Sequence, residues 1–265
     1  MKIQFDNGQI CIFESAIYRT TSTLIILEEA AVLIDPNYFP IEIEFIQKYI
    51  EENAAEKPLI VIFTHSDFDH IVGAFAFEAM DYIASLAFNS DESRKKAMKQ
   101  LLHFEAYNYI SRNYPIKYPE ITIAIEKDYQ RIDFGKDTIE FFMTPGHNND
   151  GMAIHFPDQG ILVAGDYLSD IEFPFIYDDV LSYYASLKKF EKAINTRNVR
   201  MLVPGHGDHC SDQKEMQKRV DDSRGYLNEL LKSKKADREF DESLLSSYEY
   251  MEGMKESHVA NINLS

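Results

Sequence analysis

Short apolar runs separated by turn residues open this chain. Ile10-Cys11-Ile12-Phe13, Ile17-Tyr18, Leu24-Ile25-Ile26-Leu27 and Ala31-Val32-Leu33-Ile34 have the residue types and lengths of strands. Pro36, Asn37 and Pro40 then break the pattern. Ile43, Ile46 and Ile50 recur at three- and four-residue spacing and predict an amphipathic helix over 41–53. The continuous apolar run from Leu59 to Phe63 predicts a strand covered on both faces. Residues 71–80 are apolar and read as a helix. Residues 91–113 read as a charged, then aromatic, helix with Ser90 or Asp91 as its cap and Pro115 as its stop.

Strands resume over 121–125, 130–134, 139–143, 152–156 and 161–164, with Gly135-Lys136-Asp137 as a hairpin turn. A helix is expected over 181–195, a strand over Met201 to Val203, and a charged amphipathic helix over 212–235. The tail, 232–265, is polar with weak periodicity and reads as a terminal helix or a mobile arm. No linker marks a second domain, so 1–265 is expected to be one α/β domain. Within it, 85–118 would be a helical insertion or cap, and 212–265 C-terminal helices.

Composition narrows the partners. A net charge of -17 over 265 residues repels phosphate backbones and anionic membrane surfaces, so neither nucleic acid nor a membrane is expected as partner. A small-molecule substrate is, and a homodimer stays open. The two cysteines, Cys11 and Cys210, cannot build a disulfide framework, and no Cys-x-x-Cys occurs. The N-terminus lacks a signal-like apolar core, and no stretch approaches ~18 apolar residues. The expected compartment is the cytoplasm.

The chemistry sits at the ends of the apolar runs. His65-Ser66-Asp67-Phe68-Asp69-His70 follows Leu59 to Phe63, and Thr144-Pro145-Gly146-His147 follows the run ending at Met143. Gly165-Asp166 follows Ile161 to Ala164, and Pro204-Gly205-His206-Gly207 follows Met201 to Val203. Strands ending this way can converge on one sheet edge, where seven imidazoles and carboxylates would make a two-metal site suited to zinc, iron or manganese.

These residues, in this order, resemble the metallo-β-lactamase-fold superfamily of metallohydrolases, nearest to its glyoxalase II and lactonase branches. Leu33-Ile34-Asp35-Pro36, Ala164-Gly165-Asp166 and Pro204-Gly205-His206-Gly207 resemble its flanking motifs. The resemblance spans roughly residues 1–210. It implies a four-layer αββα sandwich of two mixed sheets. It implies two divalent metal ions, one held by His65, Asp67 and His147, the other by Asp69, His70 and His206, with Asp166 bridging. It further implies hydrolysis of a small ester, thioester, lactone or phosphoester by a metal-bridging hydroxide, with Asp69 handling a proton or holding the nucleophile.

One residue departs from the family pattern. Asp67 stands where most members have the second His of His-x-His-x-Asp-His. An anionic oxygen hardens the site and shifts preference from zinc toward iron or manganese. The flavodiiron proteins of the superfamily carry a carboxylate there, so a di-iron oxidoreductase or oxygen- or nitric oxide-binding protein is the alternative. Against it, no flavodoxin-like domain follows residue 210. A binding protein with a weak metal site is a further alternative.

The remaining polar residues read more plainly. Tyr167, His209, Asn148 and Asn149 are candidates for lining the substrate pocket. Asp35 is expected to brace the ligand-bearing loops without touching metal. His103, His155 and His258 read as structural or solvent-exposed. The segment 91–113 would overhang the site as a lid or a wall.

Overall fold

The computed structural model describes residues 1–264. It stacks two β-sheets face to face between outer helices. Seven strands form the first sheet in chain order: β1 (Lys2–Asp6), β2 (Ile10–Glu14), β3 (Thr21–Ile26), β4 (Ala31–Ile34), β5 (Leu59–Ile62), β6 (Asp81–Ser85) and β7 (Ile123–Ile125). Pairing is antiparallel from β1 to β4 and parallel from β4 to β7. The second sheet has the order β12-β11-β10-β9-β8. Its strands are β8 (Gln130–Phe134), β9 (Asp137–Met143), β10 (Met152–Phe156), β11 (Ile161–Val163) and β12 (Met201–Val203), with only β11 and β12 parallel.

The apolar runs divide by alternation. Successive strand side chains point to opposite faces. Ile25, Val32, Ile34, Ile60 and Ile62 therefore meet Phe141, Ile154, Phe156, Ile161 and Val163 between the sheets. Leu24, Leu33, Val61 and Phe63 point outward onto α1 (Pro40–Ala54), through Ile43 and Ile46. On the other side, Phe142, Ala153, Leu162 and Leu202 pack on α4 (Val180–Thr196) and α5 (Gln213–Ala236). Continuous apolar strands were needed because both faces of each sheet are covered. The result is the expected αββα order.

Caps fix the helix starts. Ser90 Oγ accepts from Ser93 N at the head of α3 (Asp91–Asn108), and Asp212 accepts from Lys214 and Glu215 N at the head of α5. The helix α3 lies between the parallel strands β6 and β7 and so belongs to their crossover.

Two expectations are corrected, and the tail takes the first of the two forms expected for it. No helix runs over 71–80: α2 (Phe68–Ile71) ends early, a single 3₁₀ turn covers Ala74–Ala76, and β6 follows. At Gly73, a Cβ would lie 2.7 Å from the carbonyls of Pro36 and Asn37, so the chain turns tightly here against the first sheet. Ile17-Tyr18 is a turn, with Tyr18 and Arg19 at positive φ. The tail forms α6 (Met251–Leu264), docked through buried Met254, His258 and Asn261. Among the described residues, no helix is long and apolar enough to cross a membrane.

Candidate metal centre

Parallel strands deliver loops to one edge, outside their carboxyl ends. The loop after β5 carries His65 and Asp67, and α2 adds Asp69 and His70. The loops after β9, β11 and β12 carry His147, Asp166 and His206. All seven meet at that edge and are shielded from solvent. They fall into two groups, His65, Asp67, His147 and Asp166 in one and Asp69, His70 and His206 in the other, with potential donor atoms within 4.8 Å of one another in each group.

Asp166 stands between the groups. Its Oδ2 lies 3.4 Å from His65 Nε2, 3.1 Å from His147 Nε2 and 3.3 Å from His206 Nε2, and its Oδ1 lies 3.1 Å from His70 Nε2. Asp67 Oδ2 is 3.1 Å from His147 Nε2, and Asp69 Oδ2 is 3.6 Å from His206 Nε2. Tight loops allow this. Gly205 passes so close that a Cβ there would sit 2.2 Å from Asp166 Oδ1. Gly146, at φ +126, lies against the backbone of Tyr183.

The outer nitrogen of every imidazole has a protein partner. His147 Nδ1 donates to Phe175 O and His206 Nδ1 to Tyr18 O, both at 2.9 Å. His70 Nδ1 donates to Asp35 Oδ2 at 3.0 Å. His65 Nδ1 meets Thr64 Oγ1 at 2.9 Å, and Thr64 Oγ1 in turn donates to Asp35 Oδ2 at 2.6 Å. This pattern fixes the tautomer that turns Nε2 inward with a free lone pair, as in metal-ligating histidines. Inside the cluster, His65 Nε2, Asp67 Oδ1 and Asp166 Oδ1 are buried without an aligned hydrogen bond. Buried polar atoms left so are costly unless another partner is supplied. Four imidazoles and three carboxylates with inward lone pairs fit divalent cations.

The electrostatics agree. Burial alone would raise the Asp67 carboxyl, but the hydrogen bond from His147 and the charges of Lys96 and His65 hold it far below the usual range. Burial likewise opposes ionisation of Asp166, and the surrounding imidazoles overcome it. Against the lowering effect of burial, carboxylates push His147 and His206 up to about 10 and His70 well above its ordinary value. Without cations, protons on the imidazoles take up the compensating role.

A cavity of about 670 Å³ opens in front of the cluster. Tyr18, Phe68, Phe175 and Tyr177 line it, with Arg19, Gln100 and Glu172. So do Glu249, Tyr250, Glu252 and Met254 from the tail. Burial pushes the Glu172 carboxyl up to about 7, helped by Asp166 and Asp69 and opposed by His206. Lys96 of α3 reaches Asp67 Oδ1 at 3.3 Å and Asn148 Oδ1 at 2.7 Å. The segment 91–113 thus contributes one edge of the site, while the tail covers more of it.

Two expected pocket residues lie elsewhere. Tyr167 is buried behind the His147 loop, where its hydroxyl binds Thr144 and Pro145 O and accepts from His147 N at 3.2 Å. His209 packs on Phe5 and bonds Gln4, away from the cavity. Asn148 is buried and holds Lys96, and His103 is exposed on α3. His155 is buried near Glu140, and His258 accepts from Tyr226 Oη at 2.9 Å. Glu172, Lys96 and the tail residues were not anticipated. None sits beside a recognisable motif.

Known proteins carry the same architecture. The chain is 22% identical over 165 residues to the acyl-coenzyme A thioesterase MBLAC2 of Homo sapiens, a match covering 59% of this chain and 58% of that protein. The bovine protein of that name matches similarly, at 22% over 164 residues, 58% of each. The chain thus spans little more than half the length of these relatives. Among solved structures, a metallo-beta-lactamase from Cronobacter sakazakii superposes with a TM-score of 0.62 at 18% identity, over 89% of this chain and 99% of that one. The sec-alkylsulfatase Pisa1 from Pseudomonas sp. gives 0.65 at 15%, over 85% and 41%. A family model described as the metallo-beta-lactamase superfamily matches residues 17–206. With that match spanning most of its length, this chain belongs to the metallo-β-lactamase superfamily.

Proposed function

We propose that this protein is a dinuclear metal-dependent hydrolase acting on a small carboxylic ester or thioester. The carrying observation is the convergence of seven ligand-capable side chains with every imidazole Nε2 turned inward. The superfamily is rich in hydrolases, and the relatives named as acyl-coenzyme A thioesterases favour a carbonyl over a phosphoryl centre. In this reading His65, Asp67 and His147 would hold one ion and Asp69, His70 and His206 the other, with Asp166 available to both. Bound divalent ions supply Lewis acidity, which makes water nucleophilic near neutral pH and stabilises charge developing on a carbonyl oxygen.

The chain's own residues supply the rest. Asp69 faces the cavity, its Oδ2 fixed by the Thr20 hydroxyl at 3.1 Å, and is placed to accept a proton from attacking water. Phe68, Phe175 and Tyr177 narrow the volume around the reacting group and displace bulk water, which strengthens every charge interaction inside. Lys96 compensates the extra negative charge that Asp67 brings, and its partner Asn148 keeps it off the cluster centre.

Asp67 also supports a second reading, a di-iron centre with redox chemistry, because a carboxylate ligand suits iron. Asp166→Asn tests the first. Ester and thioester hydrolysis is expected to fall to background while the circular dichroism spectrum stays native. Undiminished hydrolysis by the variant refutes the assignment.

A further inference from the structure

One wall of the cavity takes no part in holding metal. Glu172 lies in the loop after β11, with its backbone N fixed by Ser169 Oγ at 3.1 Å. Among the described residues its carboxylate makes no hydrogen bond and no close ion pair, and it faces the cavity beside the ligand cluster with His206 as its leading charged neighbour. A half-buried carboxylate that faces a cavity without a hydrogen bond favours a cationic partner there. The rings of Tyr18, Tyr177 and Tyr250 stand on the same cavity surface. Aromatic faces attract ammonium groups, and one does so here already: Lys96 Nζ lies 4.3 Å from the centre of the Tyr177 ring.

The mouth is acidic as well. Glu249 has no ion-pair partner among the described residues, and Glu252 has only the solvent-exposed Lys255. The cations nearby are already engaged. Arg19 is held by Glu14 and Asp208, and Lys96 by Asp67 and Asn148. Arg19 is thus the one arginine, with no lysine, among the described residues that line the cavity.

We propose that the substrate carries an alkylammonium head, seated against Glu172 and the rings of Tyr18 and Tyr250, with its acyl carbonyl turned toward the ligand cluster. This deepens the hydrolytic function proposed above and rests on it. The consequence separates this protein from its named relatives. A coenzyme A thioester brings several phosphate charges, which would meet Glu172, Glu249 and Glu252 across a lining whose arginine, Arg19, is already paired. A cation over such rings gains a factor of about two to thirty in affinity from the rings alone, and a desolvated carboxylate adds to it.

The test uses a pair of equal shape and unequal charge. Binding of choline and of 3,3-dimethyl-1-butanol, its neutral carbon isostere, is measured by calorimetry on the metal-loaded 265-residue chain, without turnover. Choline is expected to bind at least tenfold more tightly. Glu172→Gln, which keeps side-chain volume, should shrink that ratio below threefold, and Glu249→Gln on the exposed rim should shrink it partway. Equal binding of the two alcohols overturns the proposal. Hydrolysis of the acetate esters of both alcohols is then compared with that of acetyl-coenzyme A. A tenfold or greater kcat/KM preference for the cationic ester supports the proposal. Hydrolysis of the neutral ester or the coenzyme A thioester at equal or greater kcat/KM overturns it while leaving the hydrolase reading intact. Charge-selective binding with no hydrolysis of any ester refutes the hydrolase reading and leaves the cation site standing.

Discussion

Asp35→Asn isolates a residue outside the seven-residue cluster that sets the direction of two of its imidazoles' lone pairs through hydrogen bonds alone. Asp35 is 2% exposed and accepts three hydrogen bonds, from Thr64 N at 2.8 Å, Thr64 Oγ1 at 2.6 Å and His70 Nδ1 at 3.0 Å. It therefore orients His70 directly and His65 through Thr64. Asn is nearly isosteric. It also tolerates the left-handed backbone at this position, φ 50, so no strain is introduced. What changes is charge and polarity. If the amide nitrogen faces His70, the proton on Nδ1 must move to Nε2, the nitrogen that a metal ion needs. If it faces Thr64 N instead, two donors are opposed.

Charge-assisted hydrogen bonds contribute about 1.5–3 kcal/mol and neutral ones about 0.5–1.5 kcal/mol. Weakening two of the three bonds thus costs about 2 kcal/mol, or roughly thirtyfold in metal affinity. That lies within the roughly 10–100-fold range for partners behind metal-ligating histidines. Chelator competition on wild type and variant measures it, with circular dichroism to report the fold. An affinity within twofold of wild type would refute the argument that Asp35 sets the tautomer.

Two further predictions follow from the same cluster. Gly205→Ala places a methyl 2.2 Å from Asp166 Oδ1 and 3.0 Å from His70 Cε1, so metal content after dialysis should drop sharply in a protein that still folds. Wild-type metal content would contradict it. The metal-free protein should lose stability as pH rises. His147 and His206 sit at about 10 in the folded chain, against about 6.5 unfolded. Their contribution is complete below about pH 6.5 and is lost as pH rises through 10. Glu172, raised to about 7, acts in the same direction from a lower starting point. The thermal midpoint of chelator-treated protein should fall between pH 7 and pH 10, and a rising midpoint would be inconsistent with this electrostatic account.

Much of the centre could be read from the chain because its chemistry is local. His65, Asp67, His147, Asp166 and His206 stand within a few residues of an apolar run's end, which places them in loops at one sheet edge, and Asp69 and His70 follow on α2. The bracing role of Asp35 was legible for the same reason, since it follows Ile34 at the end of β4. The cavity was less legible. Only three residues of α6 are buried, so its sequence shows no apolar stripe to announce where it docks. Glu172 and Lys96 acquire meaning only from partners distant in sequence, such as Asp67 across the loop from α3. Tyr167 was expected in the pocket from adjacency to Asp166, but consecutive residues in a tight turn diverge. Its ring packs on Tyr183 and Phe190 instead.

The most direct measurement is ester hydrolysis while metal is returned to the chelator-stripped protein. With seven ligand-capable side chains in two groups sharing Asp166, the rate should rise from background and level off at about two equivalents of zinc, manganese or iron(II) per chain. Saturation at one equivalent would contradict the dinuclear site. A rate unaffected by stripping and restoring metal would contradict the hydrolytic mechanism itself.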